Sequence, residues 1–401
     1  MESSCLIDDG QLRAARKAAR CLVNCDTTAR TQLLLAIAAT LREQCEAILA
    51  QNAIDVAQLS DDDPRKDRLQ LTQARVMALA DAVEAVTRLP EVLDEELEHR
   101  LMPSGIDVRR IRVPLGVVGC IYEARPNVTV DVAALCLRTG NAVVLKGGHE
   151  ADATNRLLVQ LMREVLVAQG LPADAVTLLS PTREAAEMLM MAEGLVDALI
   201  PRGSARLIRA VREKARVPVI ETGAGVCHIY VHADANVAQA AQIIANAKTR
   251  RVSVCNALDC LLVNRALADQ VETLLKPCVE QGVGIHQTPA DWGTEWLSMN
   301  LSLRIVDSLD EALEHIATYG SGHSEAILTQ DEGAAQRFCR EVDAACVYVN
   351  TPTSFTDGGE FGLGAEVGIS TQKLHARGPM GLTALTTSKW LITSNGALRA
   401  K

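Results

Sequence analysis

The chain has 401 residues, of which 48% are hydrophobic and 22% charged, with a formal net charge of −10 and a pI near 5.4. Such a length implies two or three domains, and the balance of apolar and charged residues excludes a disordered chain. The acidic charge argues against a basic surface for nucleic acid, and aromatic residues at only 2% argue against stacking platforms for bases.

The first hundred residues read as helices. Leu, Ala, Val and Met recur at helical spacing over 11–25, 31–51 and 67–88. Turn and cap chemistry at 26–28 and 60–64 separates these segments, and the acidic run 91–98 reads as a solvated face. Residues 107–113 then alternate apolar with basic side chains, the pattern of a half-exposed strand, and 114–122 reads as a turn followed by a buried strand.

From there strands and helices alternate. Strands are expected at 142–146, 176–180, 196–200 and 217–221, with helices over 151–168, 183–192 and 204–215. Short apolar strands separated by helices predict βαβ units and a parallel sheet covered on both faces.

The alternation restarts after Gly225. A strand at 228–232 precedes a helix over 236–249, with Asp234 as its expected cap. Strands at 258–263, 303–306, 325–329 and 345–350 follow, with helices over 266–281, 309–318 and 332–342. A glycine-rich stretch at 356–364 leads into the tail.

Residues 1–9 lack the cationic start and apolar run of a secretory leader, and no stretch approaches the roughly 18 apolar residues needed to span a bilayer. The 12 cysteines include no Cys-x-x-Cys pair, and no His/Cys/Asp/Glu cluster has metal-ligand spacing. Reduced thiols in a cytoplasm, with no membrane and no bound metal, are the expectation.

Cys255 draws attention within Asn246-Ala-Lys-Thr-Arg-Arg-Val-Ser-Val-Cys-Asn256. It lies between a helix and a strand, with Lys248, Arg250 and Arg251 close by in sequence. Cations near a thiol favour its reactive thiolate, although a cysteine in such a chain is more often a small buried hydrophobe. Neither Gly-x-Gly-x-x-Gly nor a Walker sequence is present. Lys146, Gly147 and Gly148 nonetheless end a strand, where glycine allows close backbone approach and lysine supplies charge to a ribose or phosphate. Pro201, Arg202, Gly203 and Ser204 end another strand and open a helix, a natural place for phosphate. For both stretches, ordinary loop residues are the competing reading. Asn127 follows a proline and can aim its amide at an oxyanion. Glu221 is a candidate general base or a capping carboxylate, and His375 a candidate phosphate contact or a surface histidine.

Together these stretches resemble one family. Residues 113–129, 137–148 and 246–256, and above all 347–381, are similar to the γ-glutamyl phosphate reductases (glutamate-5-semialdehyde dehydrogenases), a branch of the aldehyde dehydrogenase superfamily. The similarity extends from the N-terminal helices to Trp390, and wider aldehyde dehydrogenases lack the last segment. Two departures stand out. Val252 replaces the usual proline, and the segment 284–291 is shorter than in the family by about a dozen residues.

The resemblance implies an α/β fold with three parts. A parallel-sheet dinucleotide-binding domain with N-terminal helices would span 1–104 and 114–225, and an α/β catalytic domain 226–355. An oligomerisation arm would combine 105–113 with 380–401, and 356–379 would be a glycine-rich return segment. The implied reaction is NADPH-dependent reduction of L-glutamyl 5-phosphate to the semialdehyde in proline biosynthesis. Cys255 would be the nucleophile and Asn127 the oxyanion holder, with NADP bound by Lys146, Gly147, Gly148, Pro201, Arg202, Gly203, Ser204, Glu221 and Glu295. Lys248, Arg250, Arg251, His375 and Arg377 are candidates for holding phosphate and the α-carboxylate. A homodimer or homotetramer, and a complex with glutamate kinase, complete the expectation. The alternatives are a hydrolytic NAD(P)-dependent aldehyde dehydrogenase and a catalytically silent homologue that partners the kinase.

Overall fold

The computed structural model describes residues 9–60, 63 and 65–399. The leader reading of 1–9, Asp9 apart, and part of the turn at 60–64 therefore fall outside the described residues. Contacts divide the chain into a first unit of residues 1–220, 362–368 and 380–401 and a second of 221–361 and 369–379.

The first unit opens with helices α1 (Gly10–Leu22), α2 (Thr27–Glu43), α3 (Cys45–Val56), α4 (Lys66–Leu69) and α5 (Gln73–Thr87). Asp26 and Thr72 cap α2 and α5, accepting from the backbone N–H of Ala29 and Arg75. The expected helix over 31–51 is two helices that break at Gln44. The helix expected over 67–88 is likewise α4 and then α5. The acidic stretch ends in a strand, β1 (Glu96–Leu101), because its partner β2 (Ile106–Pro114) presents arginines opposite its glutamates.

β3 (Val117–Tyr122) is buried at every position, as a central parallel strand must be. It leads through α6 (Pro126–Arg138), which starts on proline, to β4 (Ala142–Lys146). α7 (Asp152–Ala168), β5 (Val176–Leu178), α8 (Arg183–Met190), β6 (Ala198–Arg202) and α9 (Ala205–Lys214) follow. The sheet is parallel with order β5-β4-β3-β6. The strand expected at 217–221 reduces to one bridge between Val219 and Leu199.

The second unit contains β7 (Cys227–Val231), α10 (Val237–Thr249), β8 (Leu258–Asn264), α11 (Val271–Val279), β9 (Gly284–His286), β10 (Asn300–Val306), α12 (Leu309–Tyr319), β11 (Ser324–Leu328), α13 (Glu332–Glu341) and β12 (Cys346–Val349). Its six strands are parallel in the order β12-β11-β7-β8-β10-β9, with apolar clusters from β7, β8, β10 and β11 packed against flanking helices. Asn236, not Asp234, caps α10 by accepting from Gln239, while Asp234 is taken up by His232 and Thr329. A short antiparallel pair, β13 (Ile369–Ser370) and β14 (Gly378–Pro379), belongs to the same unit.

The chain ends in the first unit with β15 (Thr386–Ser394), which pairs antiparallel with β2 along its whole length. The resulting sheet, β1-β2-β15, carries Leu101, Met102, Trp390 and Ile392 exposed. Among the described residues no helix is long and apolar enough to cross a membrane.

Candidate active site

Cys255 lies on the irregular segment between α10 and β8, and its side chain is half-buried. Its backbone is pinned from several sides. An ideal Cβ placed on Gly225 would lie 1.6 Å from the Cys255 carbonyl oxygen, so only glycine permits this approach. The same oxygen accepts from the thiol of Cys227 at 3.2 Å. Burial pushes the Cys227 thiol well above its ordinary pKa, which keeps it a protonated donor. Glu295 in turn accepts from the Gly225 N–H at 2.9 Å, its own pKa raised by burial.

On the other side Asn256 donates to the carbonyls of Ser354 and Thr356 at 3.2 and 2.9 Å, and Thr353 donates to the Asn256 carbonyl at 2.8 Å. Thr356 also bonds Tyr348 and Ser324. Residues 353–356 thus brace the cysteine loop through its backbone, and Val252 sits in a loop held by many other contacts.

The cations close in sequence go elsewhere. Lys248 is fully buried with its ammonium 3.5 Å from Asp259, and burial lowers its pKa. Desolvation raises Asp259 to about 7, the Lys248 charge opposing. This pair is interior structure, which departs from the expectation that Lys248 meets a phosphate. Arg250 is exposed and reaches the Ser354 carbonyl at 3.5 Å, and Arg251 is exposed. Arg377 pairs with Asp343 at 2.8 Å, and His375 is exposed. Glu221 is held by one side chain at both ends. Gln372 accepts from the Glu221 N–H at 2.9 Å and donates to the Glu221 carboxylate at 3.2 Å.

In the first unit, Asn127 occupies the first turn of α6 and donates to Asp131 at 3.1 Å, one turn along the helix. Desolvation raises Asp131 to about 6, with the Asn127 hydrogen bond and Arg202 opposing. The folded protein therefore binds this proton more tightly than the unfolded chain, and this group adds stability as pH falls from 7 towards 4. With Asn127 as the oxyanion holder that the resemblance implies, Asp131→Ala is expected to free its amide and lower kcat about tenfold, the worth of one orienting hydrogen bond of ~1.4 kcal/mol. Asp131→Asn should keep most activity and lose any limb of the pH–rate profile near 6. Unchanged kcat in Asp131→Ala would remove Asp131 from the site.

The carboxyl ends of β4 and β6 carry Lys146, Gly147, Gly148 and residues 201–204 of the expected dinucleotide set, while Glu221 and Glu295 lie in the second unit. Lys146 ends β4 half-buried, its pKa lowered by burial against the attraction of Glu150 and Glu123. A Cβ on Gly147 would lie 2.4 Å from Asn155 Nδ2, a buried donor without a hydrogen-bond partner, while the Oδ1 of the same amide accepts from Thr129 at 2.7 Å. Pro201 and Arg202 end β6, and Ser204 caps α9 by accepting from Leu207. A bare-glycine cradle, an orphaned buried donor and a helix N-terminus form a site that fits a phosphate-bearing dinucleotide.

Sequence reasoning missed Gly225, Cys227, Asp131, Gln372 and Glu123. The four-residue spacing of Asn127 and Asp131 was a readable helical signal; the others become neighbours only through tertiary contacts. It also saw no cluster of metal-ligating side chains, yet His228, Cys260 and His315 place ligand atoms within 4.8 Å of one another. Arg304 donates to His315 Nδ1 at 2.7 Å, which puts the neutral ring's proton on Nε2 facing Cys260. The cluster reads as a hydrogen-bonded core.

The chain is similar to known proteins over nearly its whole length. The aldehyde dehydrogenase family model matches residues 9–296. A γ-glutamyl phosphate reductase from Thermobifida fusca is 49% identical, covering 96% of this chain and 97% of its own. The solved γ-glutamyl phosphate reductase from Thermotoga maritima superposes with a TM-score of 0.95 at 37% identity, covering 98% of this chain and 99% of its own. An NADP complex of glyceraldehyde-3-phosphate dehydrogenase from Methanocaldococcus jannaschii, 17% identical, shares the fold with a TM-score of 0.71, covering 96% and 94% of the two chains. The chain therefore belongs to the aldehyde dehydrogenase family and, within it, groups with the γ-glutamyl phosphate reductases.

Proposed function

We propose that the protein reduces L-glutamyl 5-phosphate to L-glutamate 5-semialdehyde with release of phosphate, through a thioester on Cys255. The observation that carries the reading is a half-buried thiol on a backbone-pinned loop, in a chain 49% identical to a relative named for this activity. The Cys255 thiolate attacks the acyl carbon, a carbon–sulfur bond forms, and phosphate leaves with the electrons of the carbon–oxygen bond. Lys146, Gly147, Gly148 and residues 201–204 would hold NADPH, the cofactor that the resemblance implies, which would supply hydride to the thioester carbon. Collapse of the thiohemiacetal then breaks the carbon–sulfur bond and returns the thiolate.

Asn127 takes the oxyanion role implied by the family, and its contact with Asp131 supports an oriented amide. Lys146, Gly147, Gly148 and the 201–204 turn are assigned to the dinucleotide. Exposed His375 and Arg251 remain candidates for the substrate's anionic groups.

Water is the competitor at the thioester. A free carboxylate beside it would activate water and give the acid, but the Glu221 carboxylate accepts from Gln372. That contact favours phosphorolysis over hydrolysis. With the semialdehyde as substrate, NADP reduction is expected to require phosphate or arsenate. Equal rates without either would establish the hydrolytic reading in its place. Gln372→Ala should raise the phosphate-independent share of turnover several-fold.

A further inference from the structure

The sheet order β5-β4-β3-β6 contains a reversal. The chain runs from β3 outward through β4 to β5, then returns to place β6 on the other side of β3. In open parallel sheets a crevice at such a switch point, above the strand carboxyl ends, receives the ligand. Here it is occupied by a side chain of the protein itself. Glu123, the residue after β3, accepts from the Ser204 backbone N–H at 2.8 Å and from the Ser204 hydroxyl at 3.2 Å. Its carboxylate lies so close over Gly203 that a Cβ there would be 2.5 Å from it. Its own N–H donates to the Arg202 carbonyl at 3.2 Å, which anchors the backbone at this point.

Two further observations mark this carboxylate as more than a helix cap. The next residue, Ala124, has φ of +29°, a left-handed conformation that is strained for a residue with a Cβ and is found at functional turns. Lys146 on the neighbouring strand feels the charges of both Glu123 and Glu150, and the unpartnered Asn155 Nδ2 lies under Gly147, after that strand.

We propose that Glu123 is a built-in anion that holds the phosphate position of the dinucleotide site and is displaced when the cofactor's diphosphate binds. This rests on the cofactor reading above. In the free protein the carboxylate satisfies the α9 N-terminus, and the strained Ala124 turn stores part of what is released when it swings away. Cofactor affinity is therefore lowered by an internal competitor of the same charge.

The test is direct binding of NADPH to the purified protein, followed by nucleotide fluorescence, for the wild type, Glu123→Gln and Glu123→Ala. Both variants are expected to lower Kd about five- to tenfold. Inorganic pyrophosphate should also raise the melting temperature of Glu123→Gln more than that of the wild type. Equal or weaker NADPH binding in both variants overturns the inference and leaves the cofactor reading intact. Failure of the wild type and both variants to bind NADPH overturns both. Binding by the variants alone supports the inference in its strongest form.

Discussion

Cys255→Ala is expected to abolish phosphate-dependent NADP reduction, with a loss on the order of 10⁴-fold or more, because no thioester can form without the thiol. The side chain is half-buried, and the contacts that hold its segment are made by its backbone and by Asn256. Unfolding free energy should therefore move by less than about 1 kcal/mol. Nucleotide binding should persist, since Lys146, Gly147, Gly148 and residues 201–204 lie in the other unit. A variant that retains a substantial rate would sink the thioester mechanism. A variant that simply unfolds would not produce this pattern, and Cys255→Ser offers a near-isosteric check.

Gly225→Ala is the second large effect. The new methyl would meet the Cys255 carbonyl oxygen at 1.6 Å and its carbonyl carbon at 2.5 Å, both backbone atoms with no rotamer to relieve the clash. Either the 221–225 segment or the cysteine loop must shift. Overpacking of this kind costs about 1–3 kcal/mol, and a shift near 1 Å at a nucleophile costs about 10²-fold in rate. The Glu295 contact to Gly225 and the Cys227 contact to Cys255 would be disturbed together. Thermal unfolding and single-turnover thioester formation are the measurements. Wild-type values in both would show that the approach is looser than described.

The carboxylates that look available to catalysis or to the cofactor in sequence have structural partners. Glu221 is bound by Gln372 across 151 positions of sequence, and Glu295 caps the N–H of the glycine that abuts the nucleophile. Lys248, two residues from a tempting arginine pair, is in the interior with Asp259. A buried lysine is tolerable only beside a carboxylate, and Asp259 was not readable as its partner from spacing. Helix breaks were missed for a related reason. Apolar periodicity runs through Gln44 without interruption, because α2 and α3 both bury residues on either side of it.

The sequence by itself determined the class of the molecule. Alternating buried strands and amphipathic helices require parallel sheets, and the motif-bearing stretches end strands, where parallel sheets open to ligands. It also pointed to Cys255 as the thiol to test, through the resemblance of residues 246–256 to the family's nucleophile segment. What only the tertiary structure decided is which charges are free to act. Glu123 spends its charge on Ser204, Glu221 on Gln372 and Lys248 on Asp259, pairings over 81, 151 and 11 positions. Residue type and local spacing report what a side chain can do. Its protonation and availability depend on burial and on partners brought in from elsewhere in the chain.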